Sequence, residues 1–431
     1  MAGRGGATGY GWYVAAPASR GTAAGRGLVR PGRRSTPVQP KQPAATLPAT
    51  GAAVPRLVTA LDTPAGVASV RTGVVRARYR RPFAISSGGS DELVSLLVEV
   101  RTADGARGVG EASPMTAYTG ETLAGLRAAV DEHAGPALLG RDPRDLAGAH
   151  AAMDAAIRGQ HLAKAALDMA LHDLVARAAG WPLHLLLGGG RPGGSVPTAW
   201  VVGLGTEDEM AEEAVRYARA GFRHVKLKGG EDPARDVALV AAVRAALPEA
   251  VELSLDANEG YAPSGAARTA ARLADAGLDL LEQPLPRWDL DGMAALRAAG
   301  GVRVMADESV QSAHDALEVV RRGAADVLNI KVLKVGGLFR ARQIAALAET
   351  AGLAVKVGTM PELGVATLAA AHLSAALPHA TVPADLVGPL LVEAEPLAPA
   401  AFAGAAETGR VAVPAAPGLG HGLDARPEVF A

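Results

Sequence analysis

The chain has 431 residues with 44 acidic and 43 basic side chains, so no net field draws it to nucleic acid or to an anionic membrane. It contains no cysteine, which excludes disulfides, thiolate metal sites and a cysteine nucleophile, and fits a reducing compartment such as the cytoplasm. There is no uninterrupted apolar run of about 18 residues to span a bilayer, and the length allows two domains with a large core.

Residues 1–60 are rich in Gly, Ala, Pro and Arg and carry no acid before Asp62. Arg33-Arg34 forms a twin arginine, but the apolar stretch of about 7–15 residues that a signal peptide needs does not follow it. This segment is expected to be a disordered extension, or an over-long gene start, outside the fold. Over residues 66–190 the pattern changes to strands and then helices. Strand alternation runs over 70–78, 93–102 and 108–112, and helical spacing over 121–139 and 146–179. Together these predict a small α+β domain that ends near Gly180 and the glycine run 188–190.

Over residues 195–400 short apolar strands begin near Val196, His224, Glu252, Leu278, Arg303, Asp326, Ala354 and Ala380. The intervals are 28, 28, 26, 25, 23, 28 and 26 residues, with alanine-rich amphipathic helices between most of them. A strand, a helix and two turns need about this length, and eight such units make an α/β barrel of the (β/α)₈ type. The last unit is irregular, since the Pro-rich stretch 383–400 offers no clear helix. Residues 401–431 are expected to pack back on the first domain.

In such a barrel chemistry gathers at the C-terminal ends of the strands. The second strand ends Lys226-Leu-Lys228, and a period of two puts both lysines on one face. The third ends Asp256-Ala-Asn258, the fourth Glu282-Gln-Pro, the fifth Asp307-Glu308-Ser and the sixth Asn329-Ile-Lys331. A single acid at a strand end would serve equally well as a helix cap. Three acids on consecutive strands, 26 and 25 residues apart, converge on one mouth, where their repulsion calls for a cation between them. Oxygen-only ligands suit a hard ion, magnesium before calcium or zinc. Asn258 reads as a residue around the metal or as a turn residue, and Lys334 as a surface lysine. Lys226, Lys228 and Lys331 share the mouth, where a cation and partial burial lower a lysine's proton affinity and make it a usable base. Strands two and six face each other across a ring of eight. Lys228 and Lys331 would therefore flank a substrate from opposite sides, as a racemase or epimerase needs.

These motifs, in this order, resemble the enolase superfamily and within it the muconate-lactonizing subgroup of the mandelate racemase/muconate lactonizing enzyme family. Residues 108–112 (Gly-Val-Gly-Glu-Ala) and 163–173 are similar to the signatures of that family's first domain. The resemblance implies a modified TIM barrel, (β/α)₇β, with an N-terminal α+β capping domain over its mouth. It implies Asp256, Glu282 and Asp307 as ligands of Mg²⁺, with Mn²⁺ as a substitute. Lys228 and Lys331 become the acid/base pair and Lys226 the neighbour that tunes Lys228. The substrate is then a small carboxylate whose α-proton is removed through an enediolate. Loops 86–90 and 116–119 are expected to close over it, and the protein to be a homo-oligomer.

Residues 82–85, 120–122, 256–260 and 282–286 resemble dipeptide epimerases, in which an Asp-x-Asp on the last barrel strand holds the dipeptide ammonium. Here that segment is Asp385-Leu-Val387, so the second acid is missing. The stretches Gly358-Thr-Met-Pro-Glu362 and Gly388-Pro-Leu-Leu are more similar to muconate-type cycloisomerases. Asp385, Val387, Glu362 and Asn258 are the residues expected to meet the substrate. The opposed lysines favour an epimerase or racemase of a dipeptide or N-acylamino acid. The alternatives are a muconate-type cycloisomerase and an o-succinylbenzoate synthase-like dehydratase. A non-catalytic binding protein would have lost the acids or the lysines, and all are present.

Overall fold

The computed structural model describes residues 65–430 except 86–87, 191–193 and 424–426. The extension expected over 1–60, and part of the loop 86–90, lie outside the described residues.

An antiparallel meander opens the fold: β1 (Val67–Ile85), β2 (Gly88–Thr102) and β3 (Arg107–Ala112). Register shifts in β1 between Arg78 and Phe83, so this hairpin end is bent rather than regular. Against the sheet lies the helix His161–Ala178, buried along nearly its whole length. Gly108 and Gly110 permit this close approach. A Cβ on Gly108 would meet Ala170 O at 2.1 Å, and one on Gly110 would meet Ala166 O at 1.9 Å.

Two helical expectations need correction here. The stretch 146–179 is not one helix but two, Leu146–Ala156 and His161–Ala178. Gly159 at φ +62° and Gln160 at φ +51° turn the backbone left-handed between them, which no continuous α-helix accommodates. The stretch 121–139 starts as the helix Leu123–Ala128, capped by the Thr122 side chain. It then widens into a π turn over Ala129–Ala134 and a 3₁₀ turn over Pro136–Leu138.

The second sheet is parallel. Its strands run in chain order: β5 (Trp200–Val202), β6 (His224–Lys228), β7 (Glu252–Asp256), β8 (Leu280–Glu282), β9 (Arg303–Ala306), β10 (Val327–Lys331) and β11 (Ala354–Gly358). The strand expected near Val196 belongs elsewhere. Val196 lies in β4 (Ser195–Pro197), which pairs antiparallel with β12 (Arg410–Ala412), and the barrel strand proper starts at Trp200. The eighth position, expected near Ala380, is filled by residues 382–385 without a regular strand. Single parallel bridges join Val382 to Lys356 and Ala384 to Thr198, and so close the curled sheet into a barrel. Side-chain caps start many of the outer helices. Thr206 and Glu209 form a capping box ahead of Glu207–Ala220, while Asp232, Asp289 and Ser312 cap the helices that follow them.

The irregular stretch after 383 contains two one-turn helices, Gly388–Leu391 and Pro399–Phe402. The chain then returns to the first sheet and its helix. Leu419 N–H donates to Asp173 Oδ1 at 2.7 Å, Gly418 N–H donates to Trp181 O, and Arg71 reaches the Phe430 carbonyl.

Candidate active site

The strand ends of the barrel bring the charged residues together because the parallel register aligns them. Lys228 pairs with Asp256, and Asp256 with Glu282, across β6, β7 and β8. All three acids, Asp256, Glu282 and Asp307, have no exposed surface, and one carboxylate oxygen from each lies within 4.8 Å of the others. Buried carboxylates at this spacing repel one another, and an oxygen-only set of this size fits a hard divalent cation. Lys226 stands between two of them, its Nζ 2.7 Å from Glu282 Oε2 and 3.0 Å from Asp256 Oδ2. Glu282 Oε1 accepts from Asn329 Nδ2 at 2.8 Å.

The other lysines stand on either side of the acids. Lys228 Nζ donates to Asp256 Oδ2 at 2.7 Å and to Asn258 Oδ1 at 2.9 Å. Lys331 Nζ donates to Asp307 Oδ2 at 2.6 Å and lies 4.9 Å from the centre of the Tyr118 ring. Burial alone would lower the proton affinity of Lys331, but Asp307, Glu308 and Glu282 outweigh it and favour the ammonium form. The same balance raises Lys226, with burial opposed by Asp256, Asp385 and Glu282. Burial pushes Asp256 and Asp307 up, yet their lysine partners win and keep both below the usual carboxylate range. Glu308, buried beside Asp307 and Asp256, is pushed up to about 8.

Asn258 combines both roles considered for it. It sits in the left-handed region at φ +41°, and it joins Lys228 to Glu308 by donating to Glu308 Oε1 at 2.9 Å. Glu259 (φ +68°) and Gln283 (φ +36°) are left-handed too, so three strained residues cluster at the ends of β7 and β8. Gln283 fixes the next strand end, its Oε1 accepting from the Asp307 and Ser309 N–H groups.

Lys334 is not the surface lysine it reads as. It is buried in the one-turn helix Val332–Val335, with Nζ 2.6 Å from Asp307 Oδ1 and 3.1 Å from Asn329 O. Lys356, at the centre of β11, was passed over in the sequence. It is fully buried, and its Nζ forms an ion pair with Asp385 Oδ1 at 2.7 Å. Its signal was a lysine between two valines in an otherwise apolar strand. Asp385 Oδ2 accepts from Lys226 at 3.2 Å. Burial pushes the Asp385 carboxyl up, but Lys226 and Lys356 outweigh it and hold it at about 2.

Lys226, Lys228, Lys331, Asn258, Asp385 and Val387 line one cavity at the mouth. Met115 and Tyr118, at and beside the turn Thr116–Thr119, cover it from the first sheet's side. Val201, Met360 and Leu391 complete a mainly apolar wall. Glu362 is buried behind its neighbours Met360 and Pro361, with Oε2 accepting from Met360 N–H at 3.2 Å. Burial and the nearby Glu111 raise its proton affinity well above that of an ordinary carboxyl.

Residues 68–188 match the family model described as mandelate racemase / muconate lactonizing enzyme, N-terminal domain, and residues 209–427 match the enolase C-terminal domain-like model. The chain is 37% identical to muconate cycloisomerase 1 of Rhodococcus opacus over 370 residues, covering 84% of this chain and 97% of that protein. It is 36% identical to the hydrophobic dipeptide epimerase of Enterococcus faecalis, covering 77% and 93%. The crystal structure of an Enterococcus faecalis V583 dipeptide epimerase, complexed with Mg and the dipeptide L-Leu-L-Tyr, superposes with a TM-score of 0.78. It is 35% identical, with 82% of this chain and 99% of that one covered.

Proposed function

The chain belongs to the mandelate racemase / muconate lactonizing enzyme family of the enolase superfamily, and on that premise we propose that it is a magnesium-dependent racemase or epimerase of a dipeptide or N-acylamino acid. The observation that carries this reading is the placement of Lys228 and Lys331. One stands on Asp256, the other on Asp307, and both side chains open on the same cavity.

Asp256, Glu282 and Asp307 would hold the metal, magnesium or in its place manganese. Bound there, it would supply a positive charge to offset the negative charge that develops on a substrate carboxylate. The neutral lysine on one side takes the α-proton, and the lysine on the other side, as ammonium, gives one back to the opposite face. Lys226 lies between Asp256, Glu282 and Asp385, and it positions and tunes Lys228 through the Asp256 carboxylate they share. Tyr118 and the apolar wall exclude water from the carbanionic, enediolate state.

A second reading, muconate-type cycloisomerisation, is favoured by Val387, which puts an apolar residue where a second acid would receive an ammonium. The test is magnesium-dependent exchange of α-hydrogen with solvent deuterium across dipeptides and N-acylamino acids. No exchange in that set, with lactone formed from cis,cis-muconate, replaces the first reading by the second. No helix among the described residues is long and apolar enough to cross a membrane. We propose a homo-oligomer working on a small molecule in the cytoplasm.

A further inference from the structure

We infer that Lys356 determines specificity: by locking Asp385 into an internal ion network, it makes the site accept carboxylates whose distal end is uncharged and turn away those with a free ammonium. This rests on the isomerase reading above and names its substrate class.

Both oxygens of Asp385 already face a cation. Oδ1 lies 2.7 Å from Lys356 Nζ and Oδ2 lies 3.2 Å from Lys226 Nζ. Lys356 has no exposed surface and Lys226 almost none, so neither lysine can exchange its carboxylate for water. The backbone around Asp385 is held as well. Its N–H donates to Val357 O at 3.0 Å, Thr359 Oγ1 donates to its carbonyl, and Leu386 N–H donates to Thr198 Oγ1 at 2.9 Å. Turning the carboxylate toward a ligand would leave a buried lysine unpaired, which costs more than a new exposed pair returns. Three lysines line the cavity, Lys226, Lys228 and Lys331, against Asp385 as the one acid among the lining residues. Val387 offers no second carboxylate, so an incoming ammonium would lose its hydration with no free carboxylate among the lining residues to receive it. An acyl or alkyl group meets instead the apolar side chains of Met115, Val201 and Leu391.

The test compares L-Ala-L-Phe with N-propionyl-L-phenylalanine, the same molecule with hydrogen in place of the ammonium group. Calorimetric Kd values with saturating magnesium are expected to favour the propionyl compound by at least about tenfold in the wild type. Equal or tighter binding of the dipeptide overturns the inference, whatever the variants do. Lys356→Met, which releases Asp385 from one partner, is expected to lower that preference about tenfold. Lys356→Gln is the second variant should the first fold poorly, as circular dichroism would show. Asp385→Asn added to either is expected to restore the discrimination. A folded Lys356 variant with unchanged preference also overturns the inference. Deuterium exchange separates this from the premise. Preference without exchange rejects the isomerase reading for this class and leaves the charge argument standing, whereas exchange of both compounds with equal affinities does the reverse.

Discussion

Lys331 and Lys334 hold the two oxygens of a single carboxylate: Lys331 Nζ lies 2.6 Å from Asp307 Oδ2, and Lys334 Nζ lies 2.6 Å from Oδ1. Only Lys331 also lines the cavity. The pair therefore divides into one lysine that can reach a substrate and one that anchors the acid from behind.

Replacing Lys331 with Met is expected to lower epimerisation by a factor on the order of 10²–10⁴, the usual contribution of a positioned acid or base. Exchange of α-hydrogen should survive for the stereoisomer served by Lys228 and vanish for the other, as NMR in deuterium oxide would follow. Magnesium affinity should stay within about threefold by calorimetry, because the three acids remain. Equal exchange of both stereoisomers would remove Lys331 from the reaction.

Replacing Lys334 with Met is expected to destabilise the protein by about 3–5 kcal/mol, the cost of removing one partner from a buried ion pair. The change leaves Asp307 Oδ1 and the Asn329 carbonyl without their donor. Denaturant titration would measure it, and a loss below about 0.5 kcal/mol would match a surface lysine instead.

Glu282→Gln removes one charge from the proposed metal-binding acids while preserving shape, and is expected to weaken magnesium binding at least about tenfold. Isothermal calorimetry at fixed pH reads this directly. Unchanged affinity would take Glu282 out of the metal set.

Glu395 gives a pH dependence remote from the acids of the mouth. Burial first, and then the charge of Glu111, push its carboxyl from 4.5 up to about 7 in the folded protein. Between those two values the folded state keeps a proton that the unfolded chain has released. Raising the pH through this window therefore favours unfolding, and the loss levels off above about 7. The change is expected to amount to about 3 kcal/mol over the window, and Glu395→Gln should flatten it. Denaturation midpoints from pH 4.5 to 8 would show whether the variant and wild type still run parallel, which would exclude Glu395 as the source.

The barrel and the residues of its mouth were legible because both follow from local rules. A strand end after an apolar run marks its polar residue, and the strand spacing brings Lys228, Asp256, Glu282, Asp307 and Lys331 to one rim. What escaped reading depends on contacts between distant segments. Lys334 follows Lys331 by three residues, and only the turn of Val332–Val335 folds it back beneath Asp307. Lys356 reads as a lone charge in a strand until Asp385 arrives from across the closing seam. The break at Gly159-Gln160 was hidden by alanine-rich flanks whose helical spacing continues through it. The first barrel strand was misplaced because Val196 and Trp200 both head short apolar runs, and only β12 decides which of them leaves the barrel.

The seam itself sets how readily this enzyme can be retuned. Residues 382–385 touch their neighbours at Lys356 and Thr198 through isolated bridges, without a ladder running along a strand. Elsewhere in the ring a lengthened or shifted strand would displace the residues paired with it on both sides. At the seam, a new side chain at 387 can be absorbed with the acids and lysines of the other strands left in place, whereas one at 385 would take the partner of Lys356 with it. The barrel thus keeps its chemistry on staves fixed in register and presents Val387 just beyond the one stave that has no ladder, so a change of substrate can be tried there without moving the reacting groups.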